Sequence, residues 1–243
     1  MEMNINSYTK FIKTSINNNY NLIKFNQAKE YDKFIILRHD IDIDLYAAFE
    51  LSKLENKLGC TSTYFTMIDN PLYNIFSKES KLILHEMVKM GHDIGIHFDS
   101  SLHSYEESKL FQKIVDDVMI ISDLLQFDIK FISFHQPEKR IFKKDILIEN
   151  KYKSVYNKEF MQDILYVSDS AHLWRDEDII FIIENNHSDK IHFLSHPIWW
   201  ISSGNQSTQE KVENVIENQN RRNKKSARDL LNNYKKDIIV YTP

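Results

Sequence analysis

The chain has 243 residues, 42% of them apolar, and only 4 Gly and 4 Pro, so it can form a sizeable core but has no Gly/Pro-rich linker; a single domain over residues 1–243 is expected. A net charge of −4, from 31 basic and 35 acidic residues, argues against nucleic acid or an anionic membrane as the main partner. One cysteine, Cys60, excludes an intramolecular disulfide and reads as a buried thiol. No segment approaches the roughly 18 apolar residues of a membrane span and no signal peptide is visible, so a cytoplasmic protein is expected.

Short apolar runs alternate with longer amphipathic segments. The polar stretch Met1 to Asn19 is expected to add a short helical extension. Phe34 to His39 reads as a buried strand and Leu45 to Leu58 as a helix stopped by Gly59. Ser62 to Met67 is a second expected strand, Lys78 to Met90 a helix ended by Gly91, and Asp93 to His97 a third strand. A helix follows from about Tyr105 to Leu125, with Ser104 and Glu107 spaced as a capping box. Phe131 to Phe134 is a fourth strand, with weaker strands at Lys153 to Tyr156 and Ile164 to Ser168 and a late one at Ile191 to Leu194. Gln209 to Lys235 is expected as a long charged helix, its basic run Arg221 to Lys225 a solvated face, and Ile238 to Tyr241 as a short strand or tail. The alternation implies an α/β fold with a parallel sheet covered by helices, a closed or incomplete barrel. In such folds the site lies at the carboxyl ends of the strands.

Several chemically capable residues fall at those ends. Asp40, Asp42 and Asp44 occupy alternate positions where the first strand stops. Crowded carboxylates repel unless a cation or a shared proton relieves them, so one could ligate a hard metal ion and another act as base; Asp44 reads better as a helix cap. His97 ends the third strand, and neutral imidazole is a good ligand for Zn²⁺. His92 lies at the opposite end of that strand and reads as structural. His135 stands where the fourth strand stops before Pro137, and His196 ends the late strand, where a group titrating near neutrality suits a general acid. Asp169 is placed to orient a catalytic histidine. Tyr64, Trp174 and Trp199 are candidate substrate-contacting residues, with Tyr73 and Asn74 as further rim positions; Trp199 and Trp200 serve equally well as core.

The order of these motifs resembles the polysaccharide deacetylase family, the NodB-like carbohydrate esterases, over roughly residues 34–200. The resemblance implies a distorted (β/α) barrel, usually of seven parallel strands, and a divalent metal ion, most simply Zn²⁺, with Co²⁺, Ni²⁺ or Mn²⁺ as alternatives. It implies Asp40 as base and Asp42 as metal ligand. The run Gly91-His92-Asp93-Ile94-Gly95-Ile96-His97 is similar to the family's glycine-histidine motif, which makes His97 a ligand. Leu194-Ser195-His196 is similar to its late leucine-histidine motif, which makes His196 the general acid, and Asp169 with Trp174 echoes its aspartate-tryptophan motif. The pattern departs at Ser101, where a second ligand histidine is common, and at His135-Gln136-Pro137, where many members have an arginine-proline motif. The expected ligand set is therefore Asp42, His97 and His135, with Asp99 and His103 in reserve. The implied activity is removal of an acyl group from an N-acylated amino sugar in surface-glycan or polysaccharide biosynthesis. The alternatives are a non-catalytic sugar-binding relative and a metal-dependent amidase on a non-sugar substrate.

Overall fold

The computed structural model describes residues 1–102, 106–142, 145–174, 177–202 and 204–240. Helix α1 (Ile5–Asn17) opens the chain; Asn4 caps it by accepting from the Ser7 amide at 2.9 Å. Its residues Tyr8, Phe11, Ile12 and Ser15, at helical spacing, are buried, so the polar extension proves to be part of the packed body. The short strand β1 (Asn21–Ile23) leads to β2 (Phe34–Ile41), whose residues are all buried. Both faces of β2 are covered, which is why its first four residues, Phe34 to Leu37, read as an unbroken apolar run.

Helix α2 (Leu45–Lys57), capped by Asp44, precedes β3 (Thr63–Thr66), and α3 (Lys78–Lys89) precedes β4 (Asp93–Asp99). Gly59 and Gly91 follow these helices with φ of +79° and +93°, backbone angles that Gly adopts without steric cost. Helix α4 (Glu107–Leu125) begins at Glu107 without a side-chain cap. The Ser104 half of the expected capping box, with Tyr105, lies outside the described residues. Next come β5 (Phe131–His135), β6 (Leu147–Ile148), β7 (Tyr152–Ser154), α5 (Lys158–Met161), β8 (Leu165–Ser168), α6 (Ile179–Glu184), β9 (Lys190–Ser195) and α7 (Pro197–Trp200). Helix α8 (Thr208–Val240) continues through Ile238–Val240, where a short strand or tail was expected; no strand of the sheet pairs with these residues. Tyr241 lies outside the described residues.

The sheet runs β6-β7-β5-β4-β3-β2-β9-β8, with β1 beside the first half of β2. Every pairing is parallel except β6 with β7, which leaves the expected path of parallel strands from β7 to β8. No pairing among the described residues joins the two ends, so the curled sheet is a distorted, open (β/α) barrel. Its carboxyl ends converge on one rim. Gly95 is needed on the inner face: a Cβ there would meet the Phe65 ring at 2.4 Å and the Phe131 carbonyl oxygen at 2.8 Å. Its absence lets Phe65 lie across β4 inside the curl.

Candidate active site

Successive residues on a strand face opposite sides. Arg38, Asp40 and Asp42 therefore share the inner face of β2, while His39 turns outward. Arg38 is fully buried. Its Nε and Nη2 grip Asp40 Oδ1 and Oδ2 at 3.0 and 2.7 Å, a two-pronged charge pair, and its Cζ lies 4.8 Å from the centre of the Tyr156 ring. Burial by itself would raise the Asp40 carboxyl, but Arg38, helped by His97, holds it below the usual carboxylate range. Asp40 is thus an ionised acceptor at the wall of the cleft.

Register places His97 of β4 beside Ser133 of β5, and Asp99 beside His135. His97 Nε2 and His135 Nδ1 are 3.2 Å apart, and Asp42 Oδ1 lies 3.0 and 3.6 Å from them. Zn–N bonds of about 2.0–2.1 Å set neighbouring atoms of a tetrahedral shell roughly 3.3 Å apart, close to these separations. Asp42 Oδ1 is also buried without accepting a well-oriented hydrogen bond. A carboxylate oxygen lacking a donor beside two imidazole nitrogens fits a divalent cation, so Asp42, His97 and His135 are a candidate metal site. Burial works to raise Asp42, but the adjoining His135 and His97 hold it well below the ordinary carboxylate range, and contact with Asp42 raises His135. Ser133 Oγ sits between the groups, 2.5 Å from His97 Nδ1, 3.0 Å from Arg38 Nη2 and 3.2 Å from Asp40 Oδ2.

Across the cleft, His196 Nε2 lies 3.6 Å from Asp42 Oδ2, and its Nδ1 is 2.6 Å from Asp169 Oδ1. Asp169 is fully buried. It also accepts from the His196 amide at 3.0 and 3.1 Å and from Trp200 Nε1 at 2.7 Å, which fixes the ring's direction. Burial disfavours the imidazolium, but the Asp169 carboxylate outweighs it and raises His196 to about 9. Asp40, Asp42, His97, His135 and His196 face one cleft of about 590 Å³, walled by Tyr156, Tyr166, Leu194 and Trp199. A hollow of about 620 Å³ between α2, α3 and α8 is slightly larger but holds none of the cleft's ionisable groups. Gln136 and Ala171 line the cleft with left-handed φ of 43° and 59°, and non-glycine residues rarely hold such angles without support from their surroundings.

The structure thus gathers Asp40, Asp42, His97, His135, His196 and Asp169, and it seats Trp199 in the cleft wall. Tyr64 requires a correction: it points outward from β3, is fully buried and donates to Glu55 at 2.7 Å, so it cannot touch a substrate. Trp174 does not line the cleft either; its Nε1 donates to the Met1 carbonyl at 2.9 Å and its ring stacks on Phe193, packing against the core that Tyr8, Phe11, Phe193 and Trp200 share. Asp99, held in reserve as a ligand, instead accepts from the amide and hydroxyl of Ser101. His103 lies outside the described residues. Asp44 caps α2 as expected and also pairs with Arg222 at 3.0 Å, so the basic run on α8 is not wholly solvated. Tyr73 bonds the Ile41 carbonyl at 2.8 Å and supports the loop after β2. Sequence reasoning assigned no role to Ser133, Tyr156 or Tyr166. Ser133 had a usable signal, since it lies two residues before His135 and so on the same face of β5.

Fold and residues together describe an open (β/α) barrel with an Asp-His-His cluster on its carboxyl rim. No protein-family model and no curated protein matches the chain. Among solved structures, it is similar to a family 4 acetyl xylan esterase from Clostridium thermocellum solved with a cobalt ion, at 17% identity, covering 77% of this chain and 84% of that one, with a TM-score of 0.42. It is likewise similar to the peptidoglycan deacetylase PdaC from Bacillus subtilis, at 15% identity, 84% and 98% coverage and a TM-score of 0.44. A third match is a CE4 family pseudoenzyme from Bacillus anthracis, at 12% identity and a TM-score of 0.42; it covers 79% of this chain, which spans 62% of the pseudoenzyme's length. No helix among the described residues is long and apolar enough to cross a membrane.

Proposed function

We propose that the chain is a metal-dependent hydrolase that removes the N-acyl group of an amino sugar in surface-glycan or polysaccharide biosynthesis. One observation carries the reading: a ligand set, an ionised carboxylate and a carboxylate-oriented histidine converge in one cleft. Asp42, His97 and His135 would hold the ion. A divalent ion there would lower the pKa of water and polarise an acyl carbonyl.

The protein's own groups supply the proton transfers. Asp40, kept ionised by Arg38, accepts the proton of the attacking water. His196 presents Nε2 to the cleft because Asp169 holds Nδ1, and it donates a proton to the departing amine. An amine leaves poorly unless protonated, so this acid matters as much as the base. Tyr156, Leu194 and Trp199 give the cleft an apolar wall suited to an acyl methyl group and to the apolar face of a sugar ring.

Acetate release from nucleotide-linked N-acetyl sugars, with zinc supplied, tests the activity. Asp40→Asn is expected to lower turnover by roughly 10²–10⁴-fold while zinc still binds. Normal turnover by Asp40→Asn removes Asp40 as the base. Ser101, in place of a common family histidine, is the one feature that favours a non-catalytic sugar-binding protein. Failure to bind a stoichiometric divalent ion would decide for that reading. An amidase on a non-sugar substrate would use the same residues, and release of acetate from simple N-acetyl amides but from no sugar would identify it.

A further inference from the structure

Ser133 is fully buried and has no chemistry of its own in the reaction described above, yet three reactive side chains converge on its hydroxyl. A hydroxyl offers one proton and two lone pairs. Arg38 can only donate, so its Nη2 takes one lone pair, at 3.0 Å. Ionised Asp40 can only accept, so the hydroxyl proton goes to Oδ2, at 3.2 Å. One lone pair remains, and it faces His97 Nδ1 at 2.5 Å. That nitrogen must therefore carry a proton. With a cation bound between them, His97 is then the Nδ1–H tautomer, and its Nε2 offers its electron pair on the side it shares with Asp42 Oδ1 and His135 Nδ1.

We propose that Ser133 is a positioning residue that selects the metal-binding tautomer of His97 and sets its aim. The inference rests on reading Asp42, His97 and His135 as a metal site. It adds that the Arg38–Asp40 pair and the ligand set are one hydrogen-bonded unit, with Ser133 as the joint. Without the hydroxyl, Asp40 Oδ2 is an acceptor within reach of His97 Nδ1, at 3.5 Å. The imidazole is then drawn towards the base and away from the ligand position, and Arg38 Nη2 keeps only Asp40 and Tyr156. Groups that orient a metal-bound histidine in this way typically contribute 10–100-fold to metal affinity.

Two measurements test this. The first is zinc affinity of the metal-stripped protein by isothermal titration calorimetry. Ser133→Ala is expected to lose about 10–100-fold in affinity, and Ser133→Thr, which keeps the hydroxyl, to lie within a few-fold of wild type. Wild-type affinity in a folded Ser133→Ala protein would overturn the proposal while leaving the metal site intact. Absence of zinc binding by the wild type would remove the metal site and the proposal with it. The second measurement needs no variant. Long-range ¹H–¹⁵N NMR of the zinc-loaded wild type is expected to show His97 protonated at Nδ1. The Nε2–H tautomer would overturn the proposal even if Ser133→Ala fails to fold.

Discussion

Two clusters of carboxylate and histidine occupy opposite faces of the same strands, and they have opposite characters. On the outer face, Glu55 of α2 is fully buried. Its Oε1 meets His39 Nε2 at 2.8 Å and the Tyr8 hydroxyl at 2.5 Å, and its Oε2 meets the Ser62 and Tyr64 hydroxyls, each at 2.7 Å. His39 Nδ1 is in turn 2.6 Å from Ser195 Oγ. Each Glu55 oxygen has two donors, and α1, α2, β2, β3 and β9 are joined through them. On the inner face, Asp42 Oδ1 lacks an oriented donor, and the imidazoles around it line an open cleft. Residue type does not separate a structural cluster from a functional one here; hydrogen-bond satisfaction and access do. A buried charge that is fully bonded is costly to break, whereas one left short of donors is poised for a ligand.

Removing the outer cluster should have the largest effect on stability. Glu55→Ala leaves His39 and three hydroxyls without their acceptor and is expected to cost about 3–5 kcal/mol, read from the midpoint of denaturant unfolding. A cost below 1 kcal/mol would break the contrast between the two clusters. Acid should reach the same cluster. Burial opposes ionisation of Glu55, but His39 prevails and lowers it from 4.5 to about 2. A folded-state value below the unfolded one means that this stabilisation is complete above pH 4.5 and is lost as the pH falls from 4.5 towards 2. At 1.36 kcal/mol per unit the loss is roughly 3 kcal/mol. Unfolding midpoints collected across that window should fall for the wild type and much less for Glu55→Gln.

The inner cluster should respond the other way. His135→Ala is expected to change metal-free stability far less than Glu55→Ala. Its zinc affinity should fall by more than the roughly 10–100-fold that loss of an outer partner causes. Full zinc retention by His135→Ala would remove it from the ligand set. Gly95→Ala, which forces a methyl group against Phe65 and the Phe131 carbonyl inside the curl, should cost about 1–3 kcal/mol in thermal or denaturant unfolding. The smallest effect is expected at the rim. Arg222 is partly exposed where it pairs with Asp44 and lies over the Tyr46 ring, so Arg222→Ala should cost under about 1 kcal/mol.

Much of this was legible along the chain because strands and helices announce themselves locally. The unbroken run Phe34 to Leu37, followed by acidic residues at alternate positions, identified a buried strand and its functional end. The same logic picked out His97, His135 and His196. It fell silent where local and tertiary demands diverge. Ile179-Ile180-Phe181-Ile182-Ile183, which carried no assignment, has the composition of a strand, yet it forms helix α6. Asp178 caps that helix at the Phe181 amide, 3.0 Å away, and is itself held by the chain's amino terminus at 2.7 Å, a partner 177 residues distant.

Chain periodicity alone therefore determined the strand–helix alternation, the rim on which a site would form, and which residues of a strand share a side. It could not determine which side becomes the cleft, because that depends on the curl of the sheet and on which helices cover it. Only the tertiary structure sent Tyr64 and His39 outward to Glu55 and turned Arg38 inward to grip Asp40. It also brought Ser133, from a strand nearly a hundred residues further on, to the junction of base and ligand. A hydrogen bond acts over about 3 Å, and sequence spacing carries no information about which distant groups the packing brings within that reach.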